Sequence, residues 1–478
     1  YFDNQAINIP MSILLGEMPK TTQNVVSRSV SHKNFEISSL KIKEVINRIL
    51  RLPAVASKSF LITIGDRSIS GLVVRDQMVG PWQVPVADCA ITSSSYYDYV
   101  GEAMAIGERS PIAIIDAPAS GRMALSEAIL NITAARILKI EDISLSANWM
   151  AACGEPGEDV KLYNTVSAIS ELCKELGICI PVGKDSLSMS TVWSDEQKQK
   201  KVVAPLSLNI SAFAKVIDVR QSLTPQLLKD ESSVLLFIDL ANGKKRLGGS
   251  ALCQVYGNTG SEAPNLEDTK ILTGFFQSLQ ILNESSLINA YHDRSDGGLF
   301  ITLCEMAFAG HTGINIDLNL SGDLIENLFN EELGVIIQIN KSNEEHVKRT
   351  FVQSGINEKM IHAIGSINKD YKFNLKFNGK KILNASIAEF HKKWAETSYQ
   401  IQALRDNPEC AKQEHESITN KDDSGISIST TFRLEKNTIS INKSVKPKIA
   451  VLREQGVNGQ LEMAAAFDRV GFDCIDVH

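Results

Sequence analysis

The chain has no CxxC pair and no Cys/His cluster at zinc-ligand spacing, so neither a structural zinc site nor a disulfide framework is indicated. Its eight cysteines (Cys89, Cys153, Cys173, Cys179, Cys253, Cys304, Cys410 and Cys474) are scattered, which points to a reducing compartment with the cytoplasm as the expected location. No stretch approaches about 18 consecutive apolar residues, and Tyr1–Asn4 shows neither a basic nor an apolar leader pattern. No membrane span or export signal is therefore expected. Positive charge is also short. Lys and Arg number 49 against 56 Asp and Glu, a net charge of -7, so there is no general attraction for nucleic acid or acidic membranes. A phosphate-bearing ligand would have to be held by local geometry or by metal. Gly183-Lys184-Asp185-Ser186 lacks the upstream glycine of a full P-loop. No nucleophilic triad and no solenoid-type repeat is visible.

What is present is an ordinary globular balance, 43% hydrophobic and 22% charged over 478 residues, enough for about three compact units. Residues 1–58 open with turns at Asn8-Ile9-Pro10 and Met18-Pro19, and an amphipathic helix is predicted over Ile37–Leu52. This reads as the end of a preceding unit. A first unit spans 59–215, with strands at Phe60–Ile64 and Leu72–Val74 separated by Gly65-Asp66-Arg67-Ser68 and Ser70-Gly71 turns. A strand at Ile112–Ile115 leads to a helix over Gly121–Leu138 capped by Ser120. A helix over Asp159–Leu176, a strand at Ile178–Ile180 and a far-edge strand at Val203–Phe213 follow. The second unit, 216–406, has strands at Val234–Ile238 and Val335–Ile339, helices near 268–283 and 298–309, and an αβ pair at 344–368. The polar stretch 407–447 is predicted to be a linker with few core contacts. At 448–478 a strand (Lys448–Leu452) and a helix (Leu461–Val470) begin a third unit.

The residues that could carry chemistry are dispersed oxygen donors. Asp88 lies at a strand or strand end. Glu127 and Asn131 are four apart on a predicted helix, which puts them on one face about 6 Å apart along the axis. A hard cation such as Mg2+ accepts such ligands; by spacing alone the pair is ordinarily a solvated helix face. Here Ala128, Ile129 and Leu130 leave the helix no obvious wet side. His292-Asp293-Arg294-Ser295-Asp296-Gly297-Gly298-Leu299 ends in two glycines at a helix start, where backbone N–H groups can cradle a phosphate and Asp293 could bind its counter-cation. The bland alternative is a turn capped by Asp296. Gly183–Met189, the loop Cys153–Asp159 and Gly65–Ser68 are ambiguous between site loops and plain turns, and Lys58 could meet either a phosphate or solvent.

Taken in order, GPWQVPVADCA (Gly80–Ala90), GEAMAIGE (Gly101–Glu108), LSANWM (Leu145–Met150), PVGKDS (Pro181–Ser186), YHDRSDGGL (Tyr291–Leu299), NEELG (Asn330–Gly334) and LREQGVN (Leu452–Asn458) resemble phosphoribosylformylglycinamidine synthases of the large single-chain type. The resemblance runs essentially from end to end. It implies an α/β (α+β) fold similar to aminoimidazole ribonucleotide synthetase. The chain would be the second synthase copy, with a barrel-forming N-terminal subdomain (59–215) and an αβ C-terminal subdomain (216–406), then the start of a class I glutaminase domain (448–478). It places Asp88, Glu127, Asn131 and Asp293 on the family's magnesium ligands, Ala87 and Ser295 on its nucleotide contacts, and Lys58 on a further phosphate contact.

The implied reaction turns formylglycinamide ribonucleotide, ATP and glutamine into formylglycinamidine ribonucleotide, ADP, phosphate and glutamate, with ammonia passing inside the protein. Mg2+ and ATP or ADP are the implied cofactors, and no nucleic acid or membrane partner is expected. Two departures stand out. The first synthase half and the glutaminase cysteine with its His/Glu partners are absent, so the chain reads as a fragment with no catalytic residue of its own. It is expected to be inactive alone and, when full length, a monomer whose halves and glutaminase domain touch within one chain. Cys474 is expected to be a core thiol. One alternative is that this half holds only a structural ADP–Mg site; another is a small-molecule kinase of the same superfamily, against which Lys448–His478 argues.

Overall fold

A computed structural model describes residues 8–17, 20, 22, 24–28, 30–65, 67–68, 71–195, 198–431 and 446–478. The expected turns at Met18-Pro19, Asp66 and Ser70, and the stretch 432–445 of the expected linker, lie outside these residues. The chain opens with helices Met11–Leu15 (α1) and Ile42–Ile49 (α2), the second shorter than the predicted helix over 37–52 but burying Val45, Ile46 and Ile49 on one face. Phe60–Ile64 is not a strand. Ser59–Ile62 forms a helical turn (α3), with Ile62 N donating to Lys58 O at 3.3 Å and Thr63 N to Ser59 O at 3.0 Å. Leu61 and Ile64 stay exposed. An apolar run without a pairing partner cannot satisfy its backbone as a strand.

The first sheet contains Val73–Arg75 (β1), Ala90–Ser93 (β2), Gly101–Glu108 (β3), Ser144–Met150 (β4), Cys179–Ser186 (β5) and Ser207–Val216 (β8). A separate hairpin, Ser190–Asp195 (β6) and Lys198–Val203 (β7), precedes the last of these. The order is β1-β2-β3-β8-β4-β5, with only β4 and β5 parallel. The strand expected at the far edge thus lies centrally, between β3 and β4. Among the described residues the sheet is open. Helix Ala117–Ile132 (α4) crosses one face. It starts at Asp116, whose side chain accepts from Ala119 N at 2.9 Å, and not at Ser120, whose hydroxyl donates to Arg109 O at 2.8 Å. The predicted strand at 112–115 is a 3-10 turn, Ser110–Ile114, because Pro111 at its start withholds a ladder donor. On β3 the small residues Gly101, Ala103, Ala105 and Gly107 face inward. A methyl group at Gly107 would stand 2.0 Å from Ala124 O, so glycine there lets α4 lie against the strand. Helix Glu158–Leu176 (α5) packs beside α4.

The second sheet is built from Ser233–Ile238 (β9), Ala290–Asp293 (β10), Gly313–Leu318 (β11), Val335–Asn340 (β12), Ile361–Asn368 (β13), Lys372–Phe377 (β14) and Lys380–Ser386 (β15), in the order β10-β12-β9-β13-β11-β14-β15. Around it lie Ala251–Val255 (α6), Thr269–Glu284 (α7), Gly298–Gly310 (α8), Leu324–Phe329 (α9), Glu344–Gln353 (α10) and Ile387–Arg405 (α11). β9 and β12 are buried on both faces, which explains their continuous apolar text. One core runs from α4 through β9 and β12 to α7, and Leu125, Ile129, Phe275 and Leu279 within it are fully buried. Each such side chain contributes roughly 1.5–3 kcal/mol. Tyr291 Oη donating to Leu130 O at 2.8 Å, and Gln280 Nε2 to Thr133 O and Ala135 O at 3.0 and 3.1 Å, tie the two sheets' units together. The stretch expected to be a plain linker contains a helix, Pro408–Ser417 (α12), packed on α11 with Ala411 buried. Lys448–Leu452 (β16), Gln460–Arg469 (α13) and Asp473–Val477 (β17) form a parallel β-α-β unit. No helix among the described residues is long and apolar enough to cross a membrane.

Candidate functional site

Four separate elements carry the candidate oxygen donors, three of them a carboxylate. Asp88 lies in the loop entering β2, Glu127 and Asn131 on α4, Asp293 at the end of β10, and Ser295 in the turn that opens α8. That turn carries two successive left-handed glycines, Gly297 (φ 83°) and Gly298 (φ 68°). A methyl group at Gly298 would come within 2.6 Å of Asn330 O, so both the backbone conformation and the space require glycine.

The ligand atoms of Asp88, His292 and Asp293 lie within 4.8 Å of one another. His292 Nδ1 meets Asp88 Oδ1 at 2.7 Å and its Nε2 meets Glu305 Oε2 at 2.9 Å, so carboxylates occupy both ring nitrogens. Glu127 accepts from Glu108 N at 2.7 Å and from Ser295 Oγ at 2.5 Å. Arg109 lies behind it, with Nη1 3.6 Å from Glu127 Oε1 and 3.2 Å from Asp296 Oδ1, and Nη2 3.5 Å from Glu331 Oε2. Glu331 Oε1 in turn accepts from Gly297 N and Ala251 N at 2.7 and 2.8 Å, holding the start of α8. Two buried oxygens are left without any partner: Asp88 Oδ2 and Asn131 Oδ1. Asn131 Nδ2 is used, donating to Ile106 O at 3.0 Å.

Negative charge is in excess here. Burial, and then the Asp88 charge, push the Asp293 carboxyl well above its usual range. Burial raises Glu127 and Asp296 too, against the pull of Arg109, and carries Glu331 to about 7. Burial works to lower His292, but Asp88 and Glu305 outweigh it and hold the ring well above the ordinary imidazole value. Orphaned buried oxygens amid surplus carboxylate fit a cation bound by oxygen ligands, and with His292 engaged on both sides the available donors are oxygens alone, the preference of Mg2+.

Of the residues singled out from sequence, Asp88 and Asp293 come together, Glu127 and Ser295 share a hydrogen bond, and Asn131 lies one turn along α4 with its oxygen buried and free. Ala87 precedes Asp88, its N–H donating to Gln77 O at 3.3 Å. Lys58 is less aligned with its expected role, because Nζ donates to Ala54 O at 2.9 Å and also to Ala56 O, and burial lowers its pKa. Gly183–Ser186 is the exposed end of β5, and Cys153–Asp159 is a capped loop in which Gly154 N donates to Asp159 Oδ2 at 3.0 Å. Arg67, in the Gly65–Ser68 turn, pairs with Asp76 at 2.6 Å. Cys474 Sγ donates to Ala464 O at 3.3 Å in the packing of β17 on α13. Sequence reasoning did not pick out Arg109 or Glu305. A signal existed for Glu305, the one charged residue in the apolar text of α8.

The model of the FGAR-AT PurM N-like domain family matches residues 57–215, that of the AIR synthase related protein C-terminal domain matches 233–378, and that of the CobB/CobQ-like glutamine amidotransferase domain matches 446–478. The chain belongs to the phosphoribosylformylglycinamidine synthase family. In that family's terms its first sheet and α4 lie in the PurM N-like domain, its second sheet in the AIR synthase C-terminal domain, and β16 opens the amidotransferase domain. Among solved structures, Thermotoga maritima PurL complexed with FGAR is similar at 10% identity with a TM-score of 0.54, over 73% of this chain and 53% of that one. T. maritima PurL complexed with ATP matches at 10% identity and 0.51, over 73% and 52%. PurLQS from Thermotoga maritima matches at 11% and 0.51, over 72% and 50%. These likenesses establish the shared fold, and the chain spans about half the length of these three chains.

Proposed function

We propose that Asp88, Glu127, Asn131 and Asp293 hold Mg2+, with Ala87, Ser295 and Lys58 contacting a nucleotide, in an enzyme that makes formylglycinamidine ribonucleotide from formylglycinamide ribonucleotide, ATP and glutamine. The observation that carries this reading is the buried, unpartnered oxygen of Asp88 in the Asp88/His292/Asp293 cluster, with a second such oxygen at Asn131 on α4. Family membership and PurL structures solved with FGAR, ATP and ADP support the choice of substrates. In the overall reaction ATP phosphorylates the substrate's amide oxygen and ammonia from glutamine then displaces phosphate at the amide carbon. Bound magnesium would neutralise charge on the polyphosphate. The chain's own residues orient the ligands: Arg109 keeps Glu127 in place from behind and the Ser295 hydroxyl fixes the Glu127 oxygen, while the N–H groups of Gly297 and Gly298, expected from sequence to cradle a phosphate, are taken by Glu331 Oε1 and Ser295 O.

One feature favours a second role for the same site, a structural ADP–Mg rather than a turning-over nucleotide. Glu127, Asp293 and Arg109 are more than nine-tenths buried, which supports a nucleotide and metal that leave the site slowly. The deciding experiment measures bound nucleotide and magnesium in the purified full chain and their exchange with labelled ATP. About one ADP with Mg2+ that resists exchange supports the structural role, and rapid exchange supports the catalytic one. A chain that binds neither, and takes up neither when supplied, overturns the site assignment.

A further inference from the structure

Asp88 is held at one oxygen and open at the other. Oδ1 accepts from His292 Nδ1 at 2.7 Å, while Oδ2 is buried with no partner. A carboxylate's terminal torsion is broad and two-fold, so nothing within Asp88 itself selects this orientation. The imidazole that selects it is fixed from its far side by Glu305 Oε2 at 2.9 Å. Glu305 sits in the middle of α8 with its side chain 18% exposed. A carboxylate is costly there unless it is paired, and the partner the fold supplies is the ring that touches Asp88. The chain of contacts therefore runs from α8, through His292, to Asp88, whose second oxygen is buried and unpartnered.

We propose that His292 and Glu305 are positioning residues for a metal-ligating carboxylate: Glu305 orients the imidazole, and the imidazole pins Asp88 Oδ1 so that Oδ2 is presented, with Asn131 Oδ1, to a divalent cation. The proposal rests on the magnesium reading above. Partners behind a metal ligand typically change metal affinity 10- to 100-fold when removed, and the conservative variants separate this role from packing. His292→Asn keeps an N–H donor toward Asp88, and Glu305→Gln keeps an acceptor for Nε2; His292→Leu and Glu305→Leu remove them.

The test is calorimetric titration of the full chain with Mg2+ in the presence of ADP, with thermal unfolding of the same samples in a chelator. The expected result is a tenfold or larger loss of Mg2+ affinity in His292→Leu and Glu305→Leu, with His292→Asn and Glu305→Gln within about threefold of the unmutated chain. A structural role alone would lower the unfolding temperature in the chelator and leave Mg2+ affinity of the folded protein unchanged. Folded leucine variants that bind Mg2+ as the unmutated chain does overturn the proposal and leave the magnesium reading standing. If His292→Leu does not fold, the comparison of Glu305→Leu with Glu305→Gln decides. Failure of the unmutated chain to bind Mg2+ with ADP overturns the magnesium reading and this proposal with it.

Discussion

Arg109, at the end of β3 in one unit, reaches Glu331 in the other: its Nη2 lies 3.5 Å from Glu331 Oε2 and donates to the Glu331 carbonyl at 2.7 Å, with both side chains buried. The same guanidinium faces Glu127, so it compensates carboxylates from both units at once. Arg109→Ala is expected to destabilise the chain by about 3–5 kcal/mol, because it leaves buried carboxylates without a counter-charge. Arg109→Lys should fall between, since an ammonium cannot fork between several acceptors. Urea unfolding of the three proteins checks the order.

Asp88 and Asp293 repel each other in the absence of a cation. Burial first, then the Asp88 charge, raise the Asp293 pKa, so an amide at this position relieves the cost of keeping a second buried negative charge beside Asp88. Asp293→Asn should therefore unfold at a higher temperature than the unmutated chain in chelator, yet gain nothing from Mg2+ with ADP. Thermal scans under both conditions distinguish this from a generally damaged site, which would be lower in both.

His391 stacks on Phe308 at 4.5 Å between ring centroids, and desolvation, helped by His311 and His415, lowers its pKa from 6.5 to about 3. Between those values the unfolded chain carries one more proton than the folded one, so stability rises with pH across this window and is lost as pH falls from 6.5 towards 3. The slope from this residue is at most about 1.4 kcal/mol per pH unit. His391→Phe should flatten that limb and leave stability above pH 7 changed only by packing. Denaturation midpoints at pH 4, 5, 6 and 7.5 test it.

Gly298→Ala combines a left-handed backbone with contacts at 2.6 and 2.7 Å to the carbonyls of Asn330 and Leu328. A loss of about 2 kcal/mol or more is expected, since the backbone term alone is roughly 1–2 kcal/mol. Gly154→Ala has a similar φ of 87° with open space around it, and should show the backbone term only. Comparing the two by chemical denaturation isolates the steric part.

Much of the local structure was readable because its causes are local. The apolar repeats of α5, α7 and α8 and the continuous runs of β9 and β12 show directly in the text. Phe60–Ile64 and Ile112–Ile115 read as strands and are not, because a short apolar run becomes a strand only if another strand is there to pair with it. Ser120 looked like a cap, yet Asp116 four residues earlier starts α4, since Pro118 and the alanines around it already accept helical geometry.

By itself the sequence determined which residue types stand at each position, the family to which the phrases point, and Asp88, Glu127, Asn131 and Asp293 as candidate oxygen donors. Only the tertiary structure decided the strand order of the two sheets, that Arg109 joins Glu127 to Glu331, and that His292 is held between Asp88 and Glu305. The reason is physical. Helix and strand periods are set by neighbours a few residues away, whereas a buried charge is tolerable only against a partner 13 to 222 residues distant in the chain, and which partner arrives is settled by packing the whole core.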